Sequence, residues 1–211
     1  MKGLIILPYT TIDKSTLLKL VEDVDYIIGV DGGCCVTYDN KIKPDLVIGD
    51  FDSLDKDILK YYTDQKTEII TLKEDKDITD GEAGIIEGFK RGCTEILIIA
   101  PSFFLETDHL LGNLLLLSKY KNCTIINENE IIRILEEGNM ILNKTDGDKV
   151  SLVPLEPTEV KIDGFKYDGT FKVDVGDSLT LRNEIVDEKA HIALFKGKIL
   201  IIQRFKRDSM I

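Results

Sequence analysis

The sequence predicts an α/β protein in two parts, a doubly wound, mostly parallel sheet with helices followed by an antiparallel β-sandwich domain. Three observations carry this. Short apolar runs alternate with segments of helical spacing as far as Asn127, the pattern of a parallel sheet covered on both faces. After about Gly138 the rhythm becomes apolar/polar alternation broken by turns, the pattern of antiparallel strands. Between the apolar runs of the first part, aspartates gather where strands should end.

In chain order, the expected buried strands are LIIL at Leu4, YIIGV at Tyr26, LVIG at Leu46, EIITL at Glu68, EILIIA at Glu95 and TIIN at Thr124. Helical spacing is expected over Ser15 to Val21, with Ser15 as its cap, and over Lys56 to Tyr62, Thr79 to Arg91 and His109 to Lys119. IIRILEEG, Ile131 to Gly138, reads as the last element before the change of rhythm, which puts the domains at 1–135 and 136–211. The second part offers strands in KVSLVPL, VKIDGF, TFKVDV and SLTLRNEIV, then HIALF and ILIIQ joined by a turn at Lys196-Gly197-Lys198.

Composition narrows the function classes. A chain of 211 residues with 43% hydrophobic and 31% charged residues can bury a core without staples. Its net charge of -11 opposes a polyphosphate backbone, so no nucleic-acid partner is expected. The four cysteines, Cys34, Cys35, Cys93 and Cys123, have no zinc or Cys-x-x-Cys spacing and suit a reducing, cytoplasmic setting. No stretch approaches the roughly 20 apolar residues of a membrane span, and no membrane partner is expected.

Ligands of open parallel sheets bind beyond the carboxyl ends of the strands, and three such places carry aspartates. In VDGG, Asp31 ends a strand while Gly32 and Gly33 let backbone approach a ligand, although the same string serves as a strand-to-helix turn. In PDLVIGDFDS, alternation sets Asp50 and Asp52 on one side for a hard cation and Phe51 towards the core; as alternatives, Asp50 forms a turn and Asp52 or Ser53 caps the next helix. In KEDKDITDGE, Asp77, Thr79 and Asp80 precede a helix whose free N–H groups suit phosphate beside Lys76, and Thr79 or Asp80 also suits a cap. Two carboxylates about 4 Å apart repel by roughly 4 kcal/mol at an effective dielectric of ~20. A cluster of these groups therefore calls for a cation, and Mg²⁺ fits because it takes few carboxylates and completes its shell with phosphates and water.

Taken in order, VDGG, PDLVIGDFDS, KDITD and TDHLLGN (Thr107 to Asn113) resemble the signature of the thiamine pyrophosphokinases. The resemblance implies an α/β domain followed by a β-sandwich that contributes to thiamine binding and dimerisation, and a homodimer with sites at the interface. It implies transfer of diphosphate from ATP to thiamine, giving AMP and thiamine diphosphate. Asp50, Asp52 and Asp80 would hold Mg²⁺, and an aspartate near the metal would accept the alcohol proton. Asp31 with Gly32 would form the diphosphate floor, Lys76, Asp77 and Thr79 would meet the nucleotide and its phosphates, and Asp108 and Asn113 would line the nucleotide pocket. Arg182 and Asn183 fall where the family has a Ser-Asn pair for thiamine.

The chain departs from the pattern twice. Glu106 stands where the family has an arginine after a glycine-rich stretch, which removes a phosphate-facing cation unless Lys119 or another takes its place. Arg182 replaces the serine, and the chain has no tryptophan. Two alternatives follow: a haloacid-dehalogenase-type phosphatase with Asp50 as nucleophile, and a protein that binds Mg-nucleotide or thiamine without turnover. His109 is expected as an early helical residue and His191 as structural.

Overall fold

The computed structural model describes residues 1–52, 54–73, 75, 77–101 and 107–205. The chain divides into two units, Met1–Glu128 and Asn129–Ile211.

All six expected apolar runs of the first unit are strands: β1 (Lys2–Ile6), β2 (Tyr26–Val30), β3 (Leu46–Gly49), β4 (Glu68–Thr71), β5 (Glu95–Ile99) and β6 (Cys123–Ile126). They pair in parallel in the order β6-β5-β1-β2-β3-β4. The helices are α1 (Lys14–Glu22), α2 (Gly33–Asp39), α3 (Lys56–Asp64), α4 (Asp80–Lys90) and α5 (Thr107–Lys119). The first four strands march outward from β1, and β5 then returns to its other side, so the order reverses between β1 and β5. That reversal is where a doubly wound sheet opens a crevice.

Both faces of this sheet are covered. Leu4, Ile6 and Ile27 pack with Leu17 of α1 on one face. On the other, α4 lies so close that a Cβ on Gly84 or Gly88 would come within 2.9 Å of Val30 or Ile96. One local expectation changes. The cap of α1 is Asp13, whose carboxylate accepts from the amides of Ser15 at 2.9 Å and Thr16 at 3.0 Å, so Ser15 is a donor to the cap. Helix α2 bears out the strand-to-helix turn at VDGG, although GCCVTYD carries little helical preference. Packing holds it instead: Tyr62 donates its hydroxyl to the Cys34 carbonyl at 2.9 Å and lies 2.7 Å from the Thr37 hydroxyl, both buried.

The second unit is antiparallel: β7 (Glu130–Asn143), β8 (Lys149–Pro154), β9 (Thr158–Asp163), β10 (Gly169–Val173), β11 (Asn183–Glu184) and β12 (Lys189–Arg204). Its division from the first unit falls earlier than the expected 135/136. Ile132 and Ile134 already pair with Ile202 and Leu200 of β12, so IIRILEEG opens the second unit rather than closing the first.

The hairpin expected at Lys196-Gly197-Lys198 is a bend inside one strand. Both halves of β12 pair with β7, the first also with β9 and the second with β8. The register breaks between Leu194 and Lys198, where Gly197 has φ 98°, and β7 bends opposite it at Glu137 (φ 49°) and Gly138 (φ 99°). The two wings thus share β7 and β12 around one core that includes Val150, Leu152, Val160, Ile162, Ile192, Leu194, Ile199 and Ile201. SLTLRNEIV is mostly loop: Asn183–Glu184 pairs with β8 and Ile185 bridges Phe165, while Thr180 donates its hydroxyl to the Leu152 carbonyl at 2.7 Å and Arg182 turns the chain at φ 55°.

Candidate active site

A cavity of about 850 Å³ opens at the strand-order reversal of the first unit, within the size range of small-molecule sites. Pro8 and Tyr9 after β1, Asp31 after β2 and Pro101 after β5 line it, together with the first turns of α4 and α5. Of the expected residues, Asp31, Thr79, Asp80, Asp108 and Asn113 face this space.

Asp31 adopts φ 45° and is pinned at both ends, its amide donating to the Ile48 carbonyl at 3.0 Å and its carbonyl accepting from Cys34 at 2.8 Å. Its carboxylate lies over the end of β3, where a Cβ on Gly49 would stand 1.7 Å from Asp31 Oδ1. Gly49 is therefore the residue that admits this carboxylate. Thr79 caps α4, its hydroxyl accepting from the Glu82 amide at 3.2 Å, so capping and cavity lining coincide. The N-terminal turn of α4, with its free N–H groups and positive dipole, borders the cavity.

Asp50 and Asp52 pair beside this floor. The Asp52 amide donates to Asp50 Oδ1 at 3.2 Å across Phe51, whose φ is 57°. This is a side-chain turn rather than continued strand alternation, yet Phe51 still packs on the cluster of Val47, Leu54 and Tyr62. Helix α3 is capped by Asp55, which accepts from the Asp57 amide at 2.9 Å, so Asp52 is not its cap. Asp77 is exposed, and Gly32 precedes α2 with its Cα hydrogen towards Pro8. Among the described residues no three Asp, Glu, His or Cys side chains are close enough to hold one metal ion. Of the five expected aspartates, Asp31 and Asp80 thus line the cavity, Asp50 and Asp52 form an adjoining pair, and Asp77 stands apart from both. Lys76, Ser53 and Glu106 lie outside the described residues.

Glu82 is the lining residue that sequence reasoning missed. Thr79-Asp80-Gly81-Glu82 has the form of a capping box, but only half of the box forms. The Glu82 carboxylate reaches α5 instead, accepting from Lys119 Nζ at 2.5 Å and the Tyr120 hydroxyl at 2.8 Å. The Lys119 contact, ahead of the Tyr120 bond, holds Glu82 below its ordinary carboxylate range against the opposing effect of burial. Lys119 pairs with Glu82. No described lining residue of the cavity is Lys or Arg.

A family model described as thiamin pyrophosphokinase, catalytic domain, matches residues 17–127, and one described as thiamin pyrophosphokinase, vitamin B1 binding domain, matches residues 131–199. The chain belongs to the thiamin pyrophosphokinase family. Thiamine pyrophosphokinase of Bacillus subtilis (strain 168) is 25% identical over 184 residues, 83% of this chain and 86% of that protein. Thiamine pyrophosphokinase 1 of Arabidopsis thaliana is 25% identical over 164 residues, 71% of this chain and 61% of its own length. A crystal structure of a thiamin pyrophosphokinase family protein from Enterococcus faecalis superposes with a TM-score of 0.81 at 26% identity, covering 98% of this chain and 100% of that one. Thiamin pyrophosphokinase from Geobacillus thermodenitrificans shares the fold with a TM-score of 0.84 at 22% identity over 100% of both chains.

Both parts of the thiamin pyrophosphokinase architecture are therefore present, each on its own unit. The dehalogenase-type alternative is not favoured: both matches lie elsewhere, and Asp50 follows the third strand of its sheet. In the unit matched as vitamin B1 binding, Asn183 is 9% exposed and its side-chain amide makes three hydrogen bonds within the unit. Its Oδ1 accepts from the amides of Tyr167 at 3.2 Å and Glu184 at 2.9 Å, and its Nδ2 donates to the Tyr167 carbonyl at 3.0 Å. Asn183 thus holds the Tyr167 turn against β11, while Arg182 is exposed. Burial pushes the Cys34 and Cys123 thiols up to about 12, which leaves them protonated and unreactive.

Proposed function

We propose that this chain transfers the terminal diphosphate of ATP to the hydroxyl of thiamine, giving thiamine diphosphate and AMP. The observation that carries the reading is the pair of family matches in sequence, catalytic over residues 17–127 and vitamin B1 binding over 131–199. The cavity at the strand-order reversal supplies a place for the nucleotide.

In this reaction the thiamine hydroxyl oxygen attacks the β-phosphorus of ATP, the bond from that phosphorus to the bridging oxygen breaks, and AMP leaves with the electron pair. The hydroxyl proton passes to a carboxylate at the cavity floor. Asp31 orients the diphosphate, Thr79 with the first turn of α4 offers N–H donors to phosphate, and Asp108 and Asn113 hold the nucleotide from α5. Asp77, in the loop that precedes α4, meets the phosphates from that side, and we assign Lys76, its neighbour in sequence, to the same phosphates. Asp31, Asp80, Glu82 and Asp108 give the cavity negative walls, so polyphosphate enters with cations.

The donor set suits a hard divalent ion. The carboxylates of Asp50 and Asp52 adjoin the floor, where Gly49 admits the carboxylate of Asp31. We assign Mg²⁺ to the Asp50 and Asp52 pair, with Asp80 meeting the ion through the phosphate and water that would complete its shell. When bound, the ion neutralises charge on the transferring phosphates, where positioning and electrostatics supply most of the catalysis. The same reading makes the protein a cytoplasmic homodimer, testable by sedimentation equilibrium of the full chain.

The deciding experiment incubates the purified chain with ATP, Mg²⁺ and thiamine, with and without EDTA. Equal amounts of AMP and thiamine diphosphate, abolished by EDTA, are expected. AMP without thiamine diphosphate, or neither product from folded protein, overturns the reading.

A further inference from the structure

The second unit brings three cations together at one face of its sheet. In the ladder between β8 and β12, Lys149 is directly opposite Arg204 and Ser151 opposite Ile202. Like charges directly opposed across a sheet are unfavourable, and side chains two apart share a face. Lys149, Ser151, Ile202 and Arg204 therefore stand on one side of this ladder. A small cavity of about 80 Å³ lies there, and Arg182 and Glu130 complete its lining.

Arg182 reaches it by an unusual route. Its φ of 55° is sparsely used by residues other than glycine, asparagine and aspartate, and its amide donates to Ser151 Oγ at 3.0 Å. Strained backbone of this kind concentrates at sites that handle ligands. The other cations are partly offset: Lys149 lies 2.7 Å from Glu184, and Arg204 Nε and Nη2 donate to Glu130 Oε1 at 3.3 and 3.1 Å. Among the described residues Arg182 has no such acidic neighbour, so three cations against two carboxylates leave a positive centre in a chain of net charge -11.

We propose that this cavity is an anion subsite that takes a phosphoryl group, with Arg182 as its principal ligand. The thiazolium of thiamine is itself a cation and gains nothing from this centre. A phosphate oxygen pair instead matches the guanidinium fork, with the Lys149 ammonium and the Ser151 hydroxyl as further donors. The inference concerns the second unit alone and stands whether or not the chain transfers diphosphate.

The test titrates inorganic phosphate, and separately inorganic diphosphate, into the ¹⁵N-labelled full chain without ATP or metal, following backbone amides and the Arg182 Nε–H. Saturable shifts are expected at Lys149, Ser151 and Arg182. Saturation by phosphate alone assigns a monophosphate subsite, and saturation by diphosphate alone assigns one for a diphosphate tail. Arg182→Asn keeps a residue that tolerates the left-handed turn and should weaken binding about ten- to hundredfold, with an unchanged thermal midpoint. Arg182→Lys should fall between. The proposal is overturned by shifts confined to the first unit, or by equal affinity in wild type and Arg182→Asn.

Discussion

Lys119 Nζ stands 2.5 Å from Glu82 Oε1, joining the last turn of α5 to the first turn of α4, the two helices that flank the cavity. The Tyr120 hydroxyl donates to the same oxygen, and its ring stacks near Phe89 at 6.2 Å between centroids. Glu82→Ala should lower stability by about 1–3 kcal/mol, because the buried carboxylate's bonds to both partners are lost and Tyr120 keeps an unfilled donor. Lys119→Ala should lower it by less, since 63% of the lysine side chain is exposed and water screens the pair. Urea unfolding of the two variants checks the ranking, and equal losses would contradict it.

The same pair sets a pH dependence. Glu82 is held below its ordinary value of 4.5, so the unfolded chain takes up its proton at higher pH than the folded one. Its contribution is complete above about 4.5 and is lost as pH falls through the lower folded value. Asp13, brought down from 3.8 to about 2 by the Ser15 and Thr16 hydroxyls, acts with the same sign further into acid. Acid unfolding of wild type and Glu82→Gln should therefore converge below pH 4.5 and differ above it. A constant difference across that range would remove Glu82 as the cause.

Gly49 tests the floor of the cavity. A methyl there would stand 1.7 Å from Asp31 Oδ1, and Asp31 is fixed by backbone bonds on both sides. Gly49→Ala should cost about 1–3 kcal/mol as an overpacked contact and reduce product formation more than that loss of folded protein explains. Unchanged turnover per folded molecule would show that the Asp31 carboxylate has freedom to leave.

How much of this was legible in the sequence follows from where each element gets its stability. The strands at Leu4, Tyr26, Leu46, Glu68, Glu95 and Thr124 are local apolar runs, and each formed as read. Helix α2 was legible only as a strand-to-helix turn at VDGG; the tertiary contact that helps hold it, the Tyr62 hydroxyl on the Cys34 carbonyl, is not a local pattern. The bend at Gly197 looked like a hairpin because Lys-Gly-Lys is turn chemistry in either setting; only the pairing of both halves with β7 distinguishes them. At the site, Asp31, Thr79 and Asp80 could be read from strand ends and a helix start, whereas Glu82 looked like half of a capping box until α5 supplied its partners.

Asn183 gives a prediction that separates structure from binding. Its three hydrogen bonds to Tyr167 and Glu184 are inside the fold. Asn183→Ala should reduce stability by about 1–3 kcal/mol through the donors and acceptors left behind, while KM for thiamine, measured on folded protein, stays near wild type. A large rise in KM at unchanged stability would return Asn183 to the binding site.

Asp52 tests the metal assignment. Its amide is used in the turn with Asp50, it does not cap α3, and its side chain is exposed, so Asp52→Asn preserves shape and removes only charge. Surface substitutions of this kind usually change stability by no more than about 0.5 kcal/mol, and the thermal midpoint should hold. If Asp52 is a metal ligand, product formation should fall at least about a hundredfold, the scale of losing one electrostatic stabiliser of the reaction, and the Mg²⁺ concentration for half-maximal rate should rise. Measuring rate against Mg²⁺ for both proteins distinguishes the cases. A uniform drop with an unchanged Mg²⁺ midpoint would make Asp52 a substrate contact, and near-normal turnover would take it out of the site altogether.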